Sequence, residues 1–322
     1  MRRVAAWIAS LSYLAAVATL ATWAFSWTVT DRWPWTQWIW WFPWLGYAAA
    51  CFPAAAIAVF DRRPGGRRLR AAALLAGPVI AACGIFRDVG FTPRPVAGPS
   101  TLRIVQWNAP WPDTEAAAGP SGTIADRDAD LVVISNPWRF FRTRAEAWSD
   151  RGYDLVQTGV FAFASRLPVL EARPLPSPPG SALAILRIDA RSTWGRPLTV
   201  LAVDFPSAPR SSRMEFASRF AGILANLRLP PIDAVVGDFN ITRGSDSLVR
   251  AFPRHRDAFS EAGSGWGASF EEPRPLFHID LFLAGPEVQV AWCRLWSVGL
   301  RHRAQETWIE PASRPPLSGS RD

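Results

Sequence analysis

Asp238 and Asn240 stand two residues apart at the end of an apolar run, Ala234-Val235-Val236-Gly237-Asp238-Phe239-Asn240, which reads as a short strand delivering a carboxylate and an amide to one point. An acid and an amide so placed suit a site that handles phosphate. Taken alone, the same pair is also the mark of a turn in which both side chains bond the local backbone. Its meaning therefore depends on what the rest of the chain brings beside it.

The elements that must position the pair are β-rich. Short runs over 102–107, 131–135, 160–165, 183–188, 198–203, 234–236, 279–283 and 288–292 read as strands, separated by turn signals. One helix has a clear start, because Ser212 with Glu215 three residues on forms a capping box. Met214, Ala217, Ala221, Leu224 and Leu227 then share a face, and the helix ends near Asn226. Many strands and few helices predict an α+β domain of two packed sheets flanked by helices. The segment Phe91–Ser100, FTPRPVAGPS, has no period and reads as a linker before it.

The first 90 residues have a different character. Nine of the 18 Trp fall at or before Trp44, and no charged residue occurs between Arg3 and Asp31. A helix needs roughly 20 apolar residues to cross a bilayer, so three transmembrane helices are expected at about 4–27, 38–60 and 71–88. The Trp cluster from Trp33 to Trp44 predicts an interfacial belt at the second. The third run, Ala71–Phe86, is the shortest and must borrow length from Arg70 and Arg87. Arg2 and Arg3 before the first helix, and Arg62, Arg63, Arg67, Arg68 and Arg70 before the third, predict a cytoplasmic N-terminus. Three spans then place the remaining chain outside the plasma (inner) membrane.

Charge and cysteine exclude other classes. Residues 1–94 hold ten Arg against three Asp, which accounts for +7 of the formal +8 and leaves the rest nearly neutral. That balance argues against nucleic acid as a partner. Cys51 and Cys83 lie in apolar runs and Cys293 stands alone, so no disulfide framework or zinc site is expected.

Several motifs fall in the order of a known family. Leu102-Arg103-Ile104-Val105-Gln106-Trp107-Asn108, Asp128-Ala129-Asp130-Leu131-Val132-Val133-Ile134, Ser165-Arg166, Gly237-Asp238-Phe239-Asn240 and His278-Ile279-Asp280 together resemble the endonuclease/exonuclease/phosphatase superfamily. The resemblance implies a four-layer α/β/β/α sandwich over residues 101–318, after a membrane domain (1–90) and the linker (91–100), with a short tail (319–322). It also implies a Mg²⁺ site built on a Glu that ends the second strand, a His after a central strand, and a final Ser-Asp-His triplet.

This chain departs from that pattern. Ile134-Ser135-Asn136 puts an amide in place of the Glu, Asp204 stands where the His is expected, and Pro311-Ala312-Ser313-Arg314-Pro315 takes the place of Ser-Asp-His-Arg-Pro. The retained catalytic positions are Asp238, Asn240 and Asn108. Asn136, Asp204 and Asp280 are expected to line a ligand site, and Asp204 with Asp238 are the candidates for any metal. Mg or Mn is expected only if the site is active. None of the histidines, His255, His278 and His302, lies in such a triplet, and each reads as a surface or core-edge residue. The expectation is a membrane-anchored, degenerate domain of the bacterial type, a pseudoenzyme binding a ligand or protein partner. The alternative is a Mg-dependent phosphoesterase acting on a lipid-linked phosphate or diphosphate at the outer membrane face.

Overall fold

The computed structural model describes residues 2–61, 66–109, 118–137 and 145–312. Arg62, Arg63, Ser313 and the expected tail 319–322 lie outside the described residues. The chain forms two compact units, one comprising Met1–Asp88, Arg210–Glu215 and Gly244–Ser247, the other Val89–Pro209, Phe216–Arg243 and Leu248–Asp322.

The first unit is helical, as its alanine-rich apolar runs dictate: α1 (Arg2–Val29), α2 (Pro34–Trp41), α3 (Trp44–Phe60) and α4 (Arg67–Asp88). Residues Arg3–Val29 and Arg67–Asp88 are long and apolar enough to cross a membrane. The second apolar run is not the single helix expected over 38–60. Pro43 bars its preceding residue from the helical region, and α2 and α3 meet there at 71°, so that the pair makes a third span only as one broken segment. The third run gains the length it lacked in sequence, because flanking charged residues extend α4 to 22 residues, about 33 Å at 1.5 Å each. Trp44 Nε1 donates to Asp88 Oδ2 at 2.8 Å, and small residues such as Ala54, Ala73 and Ala76 let the helices approach.

The second unit holds two sheets. In spatial order the first runs β1 (Val89–Phe91), β11 (Gly263–Trp266), β13 (Val288–Trp296), β14 (Ala304–Pro311), β2 (Leu102–Asn108), β3 (Leu131–Ser135), β5 (Phe161–Ser165) and β4 (Asp154–Thr158). The second runs β10 (Arg256–Asp257), β12 (Asp280–Ala284), β9 (Ala234–Asp238), β8 (Leu198–Asp204), β7 (Ala182–Ile188) and β6 (Val169–Leu175). The helices are α5 (Ala118–Ala125), α6 (Ala145–Ser149), α7 (Arg191–Trp194), α8 (Arg213–Asn226), α9 (Asp246–Ala251) and α10 (Ala258–Ala262).

Side chains alternate across a strand, and that alternation sorts the core into three layers. Leu102, Ile104, Leu131, Val133 and Phe163 meet Ala184, Leu186, Val200, Ala202, Ala234 and Val236 between the sheets. The outward residues of the first sheet, Val105, Trp107, Val132 and Ile134, pack with Ile124 of α5 and Trp148 of α6. Those of the second, Ile185, Leu201, Val203 and Val235, pack with Phe216, Ala217 and Phe220 of α8 and Leu248 of α9. This is the four-layer α/β/β/α arrangement. All eight expected strands form, and Ser212 Oγ accepts the Glu215 N–H at 3.2 Å. The buried face of α8 is carried by Phe216 and Phe220, however, not by Met214 and Ala221.

Candidate active site

The inward rows of four strands turn polar at one end of the sandwich. In β2 the row Leu102, Ile104, Gln106 ends at Asn108. In β8 Leu198, Val200, Ala202 ends at Asp204, and in β9 Ala234, Val236 ends at Asp238. Strand β12, antiparallel to β9, begins there with Asp280 before Phe282 and Ala284. Register completes the row: Asp238 is the cross-strand partner of both Asp204 and Asp280. Three carboxylates thus stand side by side on neighbouring strands, at the roughly 5 Å spacing of paired strands.

Gly237 makes the approach possible. Its φ is +142°, and a Cβ there would lie 1.9 Å from the Val203 carbonyl oxygen of β8. Only glycine tolerates both conditions.

Amides tie the row to the facing sheet. Asn108 Nδ2 donates to Asp238 Oδ2 at 2.8 Å, and Asn136 Nδ2 donates to Asn108 Oδ1 and to Asp204 Oδ2, each at 3.1 Å. Asn136, just past β3, has φ +56°. Asn tolerates this left-handed region better than most residues. The Asn240 backbone N–H donates to Asp238 Oδ1 at 2.9 Å, while its side chain donates to the Phe205 carbonyl at 2.8 Å and so braces the ends of β8 and β9.

The remaining member is His302, two residues before β14. Its Nδ1 lies 2.8 Å from Asp280 Oδ2, and its Nε2 is 3.5 Å from Asn108 Nδ2. The loop carrying it is clamped, since Arg301 pairs with Glu271 at 2.9 Å and Arg303 with Glu272 at 2.6 Å, and Phe270 packs on the imidazole with ring centroids 4.7 Å apart. Reading His302 as a surface or core-edge residue is corrected here. His278 is buried, and His255 lies against the Ile232 carbonyl. The signal was in the sequence: Leu300-Arg301-His302-Arg303-Ala304 keeps the His-Arg of Ser-Asp-His-Arg-Pro directly before a strand. Residues 311–315 do not hold that motif's place before the strand, because Pro311 closes β14. Glu271 and Glu272 are engaged by the two arginines.

Burial governs the electrostatics. It pushes the Asp204 carboxyl up, against the Asn136 hydrogen bond, and the Asp280 charge adds to the rise. Asp238 is pushed well up by burial and then by the Asp280 charge. For His302, burial pulls down, but the Asp280 charge and hydrogen bond outweigh it and raise the imidazole to about 9. It is therefore an imidazolium at neutral pH, with Nδ1 donating to Asp280.

All 35 Lys-plus-Arg residues of the chain are arginine, and the buried carboxylates Asp233 and Glu306 face Arg196 and Arg94 at 2.7 and 3.7 Å. Among the described residues none pairs with Asp204, Asp238 or Asp280. Donor atoms of Asp238, Asp280 and His302 lie within 4.8 Å of one another, and Asp280 Oδ1 is buried without a hydrogen-bond partner. Carboxylate and amide oxygens at this density form a donor set suited to Mg²⁺ or Mn²⁺, so the residues present fit the divalent cation expected from the motif resemblance.

Similarity to solved structures supports the same architecture. The chain is similar to an endonuclease/exonuclease/phosphatase family protein from Bacteroides thetaiotaomicron (14% identity, 65% of this chain and 97% of that one, TM-score 0.52). It is likewise similar to one from Bacteroides vulgatus (16%, 66% and 99%, TM-score 0.50) and to the human Nocturnin catalytic domain (13%, 66% and 93%, TM-score 0.52). No protein-family model and no curated protein matches the sequence. At such identities the likeness concerns the fold: this chain has the endonuclease/exonuclease/phosphatase fold, preceded by two or three helices apolar enough to span a membrane.

Proposed function

We propose that the domain is a cation-dependent phosphoric ester hydrolase tethered to the membrane. The observation that carries this reading is the row of three carboxylates, Asp204, Asp238 and Asp280, which no arginine among the described residues pairs with, beside an imidazole. Asp238, with the oxygens of Asn108 and Asp280, would hold a divalent ion. When bound, that ion supplies charge stabilisation to a phosphoryl group and lowers the pKa of water.

The protein's own groups do the rest. Asn108 and Asn240 fix the two oxygens of Asp238, so the carboxylate cannot turn away. Asp280 fixes His302 through Nδ1 and leaves Nε2 as the proton-carrying atom facing the cleft. Phe270 shields one face of that ring from water. Phosphoryl transfer depends on such positioning more than on covalent chemistry.

The apolar spans suit a lipid-linked phosphate or diphosphate, whose headgroup stays at the membrane surface. The arginine distribution supports a plasma-membrane protein with a cytoplasmic N-terminus and the domain outside. The test is phenol release from an aryl phosphodiester and phosphate release from a polyprenyl diphosphate by the full chain in detergent, with Mg²⁺ or Mn²⁺. Activity that needs the ion and is abolished in Asp238→Ala supports the reading; absence of any thermal shift up to millimolar ion refutes it.

One observation favours a second reading, a binding module with a degenerate site: Asn136 occupies the place where the resemblance puts a carboxylate. Ion binding without turnover of either substrate selects it.

A further inference from the structure

The segment Gly244–Ser247 follows Asn240 after only Ile241, Thr242 and Arg243, yet it folds with the helical unit and not with the sandwich. Its last two residues begin α9. The first N–H groups of a helix have no partner within it and must be met from outside. Here the turn between α1 and α2 meets two of them: Thr30 Oγ1 accepts from the Asp246 N–H at 3.0 Å, and Asp31 Oδ1 accepts from the Ser247 N–H at 3.1 Å. Asp31 Oδ2 accepts from the Ser247 hydroxyl as well, Trp40 Nε1 donates to Ser245 Oγ at 2.9 Å, and Arg32 Nη2 pairs with Asp246 at 2.7 Å. Asp31 is only 1% exposed, where a carboxylate is stable only if hydrogen bonds meet it. Thr30 holds a φ of +42°, which a β-branched residue keeps only where its surroundings enforce it.

From Leu248 onward α9 belongs to the sandwich unit. There Leu248, Ala251 and Phe252 pack with Phe239 and Ile241, the buried neighbours of Asn240 on either side, and the Phe239 and Phe252 rings lie 5.9 Å apart. Asn240 in turn holds Asp238 Oδ1 through its backbone N–H. A helix of six residues has little stability of its own. Its order depends on what caps it and what it packs against.

We infer that Thr30 and Asp31 cap α9 from the helical unit, and that Asp31 is thereby a positioning residue for Asn240 and for the Asp238 carboxylate. Loosening the cap lets the first turn of α9 fray, and the wall behind Phe239 and Ile241 goes with it. The two oxygens of Asp238 then lose one of their fixed partners.

The inference rests on the proposed cation site, and the experiment separates the two. Amide exchange of the full chain in detergent and chelator is read by mass spectrometry over residues 239–248, and Mn²⁺ alone is titrated by calorimetry. Asp31→Ala is expected to speed exchange over both 239–243 and 246–248 by about three- to thirtyfold, the scale of a lost helix cap, and to weaken Mn²⁺ at least about threefold. Asp31→Asn keeps an acceptor oxygen in place and Asn caps as well as Asp, so both readouts are expected to return to within about twofold of the parent. Unchanged exchange in Asp31→Ala overturns the cap, and faster exchange confined to 246–248 overturns its hold on Asn240. An Asp31→Asn chain as loose as Asp31→Ala overturns hydrogen bonding as the cause. Mn²⁺ affinity that ignores a loosened loop overturns the positioning of Asp238. A parent chain that binds no Mn²⁺ refutes the cation site instead, and exchange still decides the cap and its hold on Asn240. If Asp31→Ala fails to fold, Thr30→Val, which deletes only the hydroxyl facing the Asp246 N–H, decides: faster exchange over 239–243 supports the inference and unchanged exchange overturns it.

Discussion

His302 Nδ1 and Asp280 Oδ2 lie 2.8 Å apart, joining the loop before β14 to the first residue of β12. The contact fixes both the orientation of the imidazole and the identity of the nitrogen that faces the cleft. It also makes one Asp280 oxygen a partner of His302 while the other stays without one.

If that pair moves protons, His302→Gln lowers turnover by about 10²- to 10⁴-fold, the usual cost of losing a positioned acid or base. Mn²⁺ affinity changes little, because the carboxylates remain. Steady-state kinetics together with Mn²⁺ titration check this: equal losses in both would make His302 a ligand instead.

Gly237→Ala is expected to prevent stable folding of the domain. The added Cβ meets the Val203 carbonyl at 1.9 Å, at a φ of +142° that L side chains rarely adopt. Strain of this kind belongs to the short list of severely destabilising changes, on the order of 4 kcal/mol or more. Thermal unfolding followed by tryptophan fluorescence reads it, and a fall in Tm of only a degree or two would contradict the close approach of β8 and β9.

The pH dependence of the cation-free protein has a definite sign. Asp204 and Asp238 are raised in the folded state, so the folded chain holds protons that the unfolded chain has released. Their contribution is present at acid pH and lost as pH rises through the raised values. His302 acts in the same direction, with its contribution complete below about 6.5 and lost as pH passes about 9. In chelator, Tm therefore falls from pH 5 to pH 9, and saturating Mn²⁺ flattens the fall by taking the place of the protons. A Tm that rises over this window in chelator would contradict the assignment.

The arginine asymmetry predicts the topology. A reporter active only outside the cytoplasm, fused after residue 322, is expected to be active in the full chain. Removal of α4 should silence it, and a signal unaffected by that removal would contradict the three-span reading.

The architecture was legible because its signals are local. Eight strands announced themselves by short apolar runs, and the polar ends of those runs, Asn108, Asp204 and Asp238, could be placed on inward faces by parity alone. β14 escaped notice because Gln305, Glu306 and Thr307 interrupt its apolar pattern, although all three are buried. Missing that strand displaced the final motif and hid His302. The pairing of Asp204 with Asp280 around Asp238 was not legible at all, since sheet order joins segments 34 and 42 residues from β9's end only through crossovers. The bend between α2 and α3 is legible in Pro43, which keeps Phe42 out of the helical region.

That no described arginine pairs with the three carboxylates has a consequence for the release of product. Guanidinium groups grip free phosphate, and among the described residues none pairs with the acids of this cleft. Once the ester is cut, inorganic phosphate would be held chiefly by the ion and by His302 Nε2, so that product inhibition should track metal concentration and fade with loss of the imidazole proton.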